Sequence, residues 1–231
     1  MINVLAIVQA RMGSTRLPNK LMLNLHGYPV VEWVYRRVMK AKNIDKVIFA
    51  IPDAATDDVL QDYLRSMGAE VYRGSEFDLV DRFYQVTKTY PAKSIVRICA
   101  DNPLISPTEI DLAVDYFRKN QCDYAFNHVP KDGGWPDGLG AEISSISVIN
   151  LIHRFAKDDS QREHVFDYVW AHQNYFTIRS IPVPKELSYP KLKFDIDTYD
   201  DYENLISMPL DIGFSSKQVI ECALENSKIR R

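Results

Sequence analysis

The chain is poor in the features that would mark several function classes. Cys99, Cys122 and Cys222 are its only cysteines, an odd number with no CxxC spacing. They give no pattern for a zinc site or a disulfide framework and fit a reducing cytoplasm. Positive charge is not in excess: 28 Lys and Arg against 31 Asp and Glu leave a formal net charge of −3, which argues against a polyanion such as DNA or RNA as partner. No apolar run approaches the roughly 18 to 20 residues that span a bilayer, so no membrane partner is expected. The opening MINVLAIVQARMG lacks a basic leader and runs straight into a polar loop, so it reads as a first strand rather than an export signal, and a cytoplasmic location is expected. Neither GxxxxGK[ST] nor GxGxxG occurs, which removes the two commonest phosphate-binding fingerprints.

What is present is the alternation of a parallel α/β sheet. Short β-branched runs at 4–9, 46–51, 70–73 and 94–99 read as strands, each followed by apolar residues at helical spacing, such as Val31, Val34, Tyr35, Val38 and Leu79, Phe83, Val86, Tyr90. From about residue 126 the rhythm breaks into HVPKDGGWPDGLG and resumes with a strand-like AEISSISV, a helix around 161–172, a strand pair at 176–181 and 192–196, and two short closing helices. With no repeat or long linker, one domain covers 1–231, with an acceptor-side or lid insertion at about 126–192.

The strongest chemical signal is QARMGSTRLPNK. Gln9, Ala10, Arg11, Gly13, Ser14, Arg16 and Lys20 directly follow the first strand, where α/β proteins bind ligands and where glycine lets backbone amides approach phosphate. A basic surface loop is the other reading. RICADNPLI sets Asp101 at the end of the fourth strand, as a hard-cation ligand through oxygen or as a turn residue before Pro103. In FDID, Asp195 and Asp197 alternate along an expected strand and so share a face, which calls for a cation or a proton between them. Asp197 with Thr198 also suits a helix cap.

These segments, with YRGSEFDLVDRFYQ, WPDGLGAEI and REHV in order, resemble the cytidylyltransferases related to the spore coat polysaccharide protein SpsF, and more distantly the CMP-sialic acid and CMP-Kdo synthetases. The resemblance covers most of the chain. It implies a three-layer nucleotidyltransferase fold, Rossmann-like and GT-A-like, with a mostly parallel central sheet and helices on both faces. It implies Mg²⁺ held by Asp101, Asp195 and Asp197, CTP phosphates on the Gln9–Lys20 loop with Arg16 and Lys20 countering charge, and the base at Arg73, Gly74 and Ser75. The acceptor, a small anionic sugar-like molecule of surface glycan biosynthesis, is expected at Trp135, Asp137, Gly138, Glu142, Arg162 and His164. Ala100 and Asn102 depart from the Gly-Asp-Cys common in the family. On residues alone, Trp135 also suits the core, Asp137-Gly138 a tight turn, and Asp81-Arg82 and Arg162-Glu163 salt-bridged helix surfaces. His26, His128, His153 and His172 show no metal spacing and receive no role. A GT-A glycosyltransferase, through the Asp195-Ile196-Asp197 pattern, and a non-catalytic nucleotide-binding subunit remain rivals. A homodimer is left open.

Overall fold

The computed structural model describes residues 2–131 and 133–229, and no candidate site residue falls outside them. The strands are β1 (Ile2–Gln9), β2 (Asn24–Leu25), β3 (Tyr28–Pro29), β4 (Lys46–Pro52), β5 (Glu70–Gly74), β6 (Ala92–Cys99), β7 (Tyr124–Phe126), β8 (Glu142–Ser145) and β9 (Ile178–Ser180). The helices are α1 (Val30–Val38), α2 (Asp58–Ser66), α3 (Leu79–Thr89), α4 (Pro107–Lys119), α5 (Ile146–Phe155), α6 (Asp159–Glu163), α7 (Asp167–Ala171), α8 (Tyr199–Ile206) and α9 (Ser216–Ile229). Seven strands form one sheet in the order β5-β4-β1-β6-β8-β7-β9. Only β8 runs against its neighbours.

Side-chain alternation along β1 explains the three layers. Val4, Ala6 and Val8 enter the core shared with α1, α2, α4, α8 and α9, while Leu5 and Ile7 enter the core shared with α3, α5 and α7. The chain steps outward from β1 to β4 and β5, then returns to place β6 on the other side of β1. Such a reversal splays the loops leaving the carboxyl ends of the two strands and opens a crevice between them. That is where the QARMGSTRLPNK loop leaves β1 and the Asp101 loop leaves β6.

The second half of the chain corrects three expectations. AEISSISV is strand only to Ser145, and α5 follows because Val148, Ile149 and Ile152 bury one helical face. The helix expected at 161–172 is two, α6 and α7, separated by an extended His164. Residues 192–196 form no sheet strand. Their backbone bonds go to loops instead: Leu192 O accepts from Asp137 N, Phe194 N donates to Asp137 O, and Ile196 N donates to Asp101 O. Residues 126–192 contribute β8 and β9 to the main sheet, so they are woven into it rather than hung from it.

Candidate active site

A cavity of about 1020 Å³ lies beyond the carboxyl ends of β1, β4 and β6. Every residue named above from the Gln9–Lys20 loop faces it, with Asp101, Asp137, His164, Asp195 and Asp197. The loop is irregular, and its shape is set from outside by the buried Asp57 carboxylate, which accepts Met12 N–H at 2.8 Å, and from within by Ser14 Oγ, which accepts Leu17 N–H at 3.3 Å. A Cβ on Gly13 would meet nothing within 4 Å, so the backbone there is open to an approaching group.

Lys20 ends the loop and gathers the acidic residues. Its ammonium donates to Asp101 Oδ2 at 2.6 Å, to Ile196 O at 2.7 Å and to Asp197 Oδ1 at 3.2 Å, and its side chain is 11% exposed. Arg16, 65% exposed, reaches Asp197 at 3.0 Å. The bond from Ile196 N to Asp101 O joins the FDID segment to the β6 loop. Asp195 and Asp197 therefore converge on one cavity although the strand that was to align them is absent. Thr198, not Asp197, caps α8 in a capping box with Asp201, leaving the Asp197 carboxylate for the cavity. The β6 loop is itself held from behind by Arg37, a buried cation on α1 that donates to the carbonyls of Leu104, Ile105 and Ile212.

Asp101, Asp137, Asp195 and Asp197 share one cavity, and neighbouring carboxylates disfavour the charged form of the two that are most buried, Asp137 and Asp195. Burial, then Asp195, pushes Asp137 up to about 7. Burial also raises Asp195, with Asp197 and Asp101 adding to it and Lys193 opposing. Asp195 Oδ1 is buried without a hydrogen-bond partner. No three His, Cys, Asp or Glu side chains among the described residues form a ready-made cation cage. An orphaned carboxylate oxygen beside other carboxylates fits a hard cation whose remaining ligands come from water and phosphate, the usual arrangement for Mg²⁺.

The base-side residues need correction. Arg73 turns away from the cavity and pairs with Asp53 and Asp58, donating also to Ala54 O at 2.6 Å. Gly74 ends β5, and Ser75 uses its hydroxyl to accept Asp78 N–H. None of the three lines the cavity; Pro52, Asp57, Glu76, Phe77, Leu79 and Arg82 do. Arg82, read as half of a surface pair, is buried and donates to Ser75 O at 2.8 Å and Glu76 O at 3.1 Å, thereby shaping the turn. Burial lowers its pKa to about 10. Phe77, 85% exposed at the rim of the cavity, was missed, because nothing in the sequence separates it from a core phenylalanine.

Among the residues expected at the acceptor, Trp135 is 0% exposed and donates its indole N–H to Ile181 O at 2.7 Å, so it is core and offers no face to a sugar. Arg162 spends its fork on Asp78, with Nε at 2.8 Å, and on His153 O; it does not line the cavity. Glu142 is buried against Arg97, and Tyr124 Oη donates to it at 2.5 Å. Burial pushes Glu142 up, but Arg97, His128 and the Tyr124 hydroxyl outweigh that and hold it below its ordinary value of 4.5. Gly138 is structural: with φ near 88°, its missing Cβ would stand 2.8 Å from Asp195 N, so only glycine lets this turn pack on FDID. Asp137 and the exposed His164 face the cavity as expected. His128, given no role, faces it too.

Comparison with known proteins places this geometry. A family model described as Cytidylyltransferase matches residues 5–226. The chain belongs to the cytidylyltransferase family. This cytidylyltransferase is 30% identical to the spore coat polysaccharide biosynthesis protein SpsF of Bacillus subtilis over 89% of its own length and 85% of that protein. Its fold matches the structure of a cytidylyltransferase from Leptospira borgpetersenii serovar Hardjo-bovis with a TM-score of 0.91 and 31% identity, covering 99% and 97% of the two chains. A CMP:2-keto-3-deoxy-manno-octonic acid synthetase solved with CTP shares the fold at a TM-score of 0.67 and 17% identity, over 89% of this chain and 97% of that one. The α/β nucleotidyltransferase fold and the enzyme class follow, and the GT-A glycosyltransferase reading gives way. Among the described residues no helix of the cytidylyltransferase is long and apolar enough to cross a membrane.

Proposed function

We propose that the chain is a Mg²⁺-dependent enzyme that transfers CMP from CTP to a small anionic, sugar-like acceptor and releases pyrophosphate, supplying activated sugars for surface glycans from the cytoplasm. The observation that carries it is Lys20, clasped by Asp101 and Asp197 at the floor of the cavity while Arg11 and Arg16 stand exposed above. A triphosphate needs neutralising cations at one end and a divalent cation at the other, and this cavity offers both sets of partners.

Asp197, Asp101 and Asp195 would hold Mg²⁺, which when bound polarises phosphoryl oxygens and offsets their charge. Arg11, Arg16 and the loop amides around Gly13 grip the triphosphate, and Lys20 shifts from carboxylates to phosphate. Gln9 and Ala10 line the floor at the end of β1. The turn fixed by Arg82, with Phe77 at its rim, takes the base. The acceptor enters between Asp137 and His164, the face contributed by residues 126–192. Its hydroxyl oxygen attacks the α-phosphorus in line with departing pyrophosphate, and Asp137 and His164 are the two groups placed to receive its proton. Catalysis is chiefly positioning and charge neutralisation.

A pyrophosphate-release screen crossing the four ribonucleoside triphosphates with sugar acids, sugar phosphates and neutral sugars tests the reading. Release with CTP and an anionic acceptor is expected. Preference for a purine nucleotide, or for neutral acceptors, overturns it.

A further inference from the structure

Behind the main cavity lies a smaller one, about 160 Å³, which shares Arg97, His128 and His164 with it and continues to Lys131 and Trp170. Four of its lining residues can carry positive charge and two, Glu142 and Asp167, negative. Arg97 and Glu142 cancel: they pair with each other, and Arg97 Nε donates to Gln9 Oε1 at 2.7 Å while Tyr124 holds the other Glu142 oxygen. What remains is Lys131, Asp167 and two imidazoles, of which His128 turns Nε2 toward Glu142 Oε2 at 3.6 Å. His128 Nδ1 is buried with no hydrogen-bond partner. The Lys131 ammonium pairs with no carboxylate among the described residues and sits over the Trp170 ring, 3.6 Å from its centroid. Buried polar atoms are nearly always bonded in native proteins, so an imidazole nitrogen without a protein partner at a pocket wall offers a bond to whatever enters the pocket. Val129, Phe166 and Trp170 give that pocket apolar sides.

We infer that this smaller cavity receives the anionic group of the acceptor, carboxylate or phosphate, with His128 and Lys131 as its specificity-determining contacts. The inference deepens the proposed function and rests on its anionic acceptor. It replaces Arg162, whose fork Asp78 already occupies, as the anion-binding element. Anchored there, an acceptor passes between Arg97 and His164, the shared wall, and presents its hydroxyl in the main cavity.

Trp170 supplies the readout, because Trp33 and Trp135 are fully buried elsewhere and the chain has three tryptophans in all. The full-length protein, saturated with Mg²⁺ and CTP to block the triphosphate loop, is titrated with pyruvate, glycerol 3-phosphate and glycerol while tryptophan emission is followed. One or both anions should perturb emission saturably and glycerol should not; the stronger of the two tells carboxylate from phosphate. Lys131→Gln and His128→Asn should each weaken that binding about tenfold or more, as loss of a bond to a charged group does, with CTP affinity unchanged. Lys131 is exposed, so its variant keeps the test valid if the His128 variant folds poorly. Anions that act no better than glycerol, or that bind the Lys131 variant as they bind wild type, overturn the inference. Turnover separates the two readings. Wild type that releases no pyrophosphate from CTP with any acceptor sinks the function while the titration still judges the pocket. Turnover with an acceptor KM unmoved in both variants sinks the pocket and leaves the function standing.

Discussion

The two sides of the cavity hold their charges differently. On the side proposed for the triphosphate Arg11 and Arg16 are exposed on an irregular loop, and only Lys20 is well covered. On the side proposed for the acceptor, and under the turn proposed for the base, Arg97, Arg162 and Arg82 are largely buried, each committed to a carboxylate or to backbone carbonyls. Exposed charges add little to stability and can be redirected to a ligand. Buried pairs are costly to break, because the abandoned partner keeps its desolvation penalty. The arginines of one wall are therefore free to turn to a ligand, and those of the other are committed to fixing its shape. Mutations on the two walls should separate turnover from stability.

The largest effect should come from the acidic floor. Asp101→Asn and Asp197→Asn should each lower kcat by about 10²- to 10³-fold or more, the scale of losing a charge-stabilising group, while the folded protein persists by circular dichroism; near-normal turnover in either ends its metal role. Next, Glu142→Gln should destabilise the protein by about 3–5 kcal/mol, since Arg97 is left buried and uncompensated; denaturant unfolding measures it, and a change near zero would blur the contrast between the walls. Arg162→Ala belongs with it in kind: unfolding should shift through the loss of the Asp78 pair while CTP KM stays put. Opposite in kind is Arg16→Ala, which should raise CTP KM with a stability change below about 0.5 kcal/mol, and a KM that does not move would reduce the loop to surface. The smallest effect is in pH. Burial lowers the His128 pKa below its ordinary 6.5, and Glu142 is held below 4.5. Below pH 6.5 the unfolded chain binds the His128 proton first, so stability falls with acid. A second loss follows as pH drops below 4.5 toward the depressed Glu142 value. Tm measured from pH 8 to 4 should show the upper limb flattened in His128→Gln, and an unchanged profile would contradict the burial argument.

The first half of the fold was legible because its strands and helices are regular and its chemistry sits in consecutive residues. Gln9 to Lys20 leave a strand that the β-branched run 4–9 announces, and Asp101 leaves another. Asp195 and Asp197 reached the cavity by a route that was not read, through the Ile196–Asp101 backbone bond rather than strand alternation. Sequence patterns report faces of regular elements and do not report loop-to-loop bonds. The same blindness misplaced Arg73, Trp135 and Arg162, whose types suit ligand binding but whose partners are Asp58, Ile181 O and Asp78. Arg82, Arg37 and His128 were missed because a buried cation serving carbonyls, or an imidazole at a cavity wall, carries no local signature.

The most direct test is ³¹P NMR of wild type and Asp197→Asn incubated with CTP, Mg²⁺ and a panel of sugar acids. Wild type should convert the triphosphate resonances into equal amounts of pyrophosphate and a CMP phosphodiester, and the variant should leave CTP intact. Pyrophosphate appearing as fast with the variant as with wild type, or no phosphodiester with any acceptor, would contradict the account.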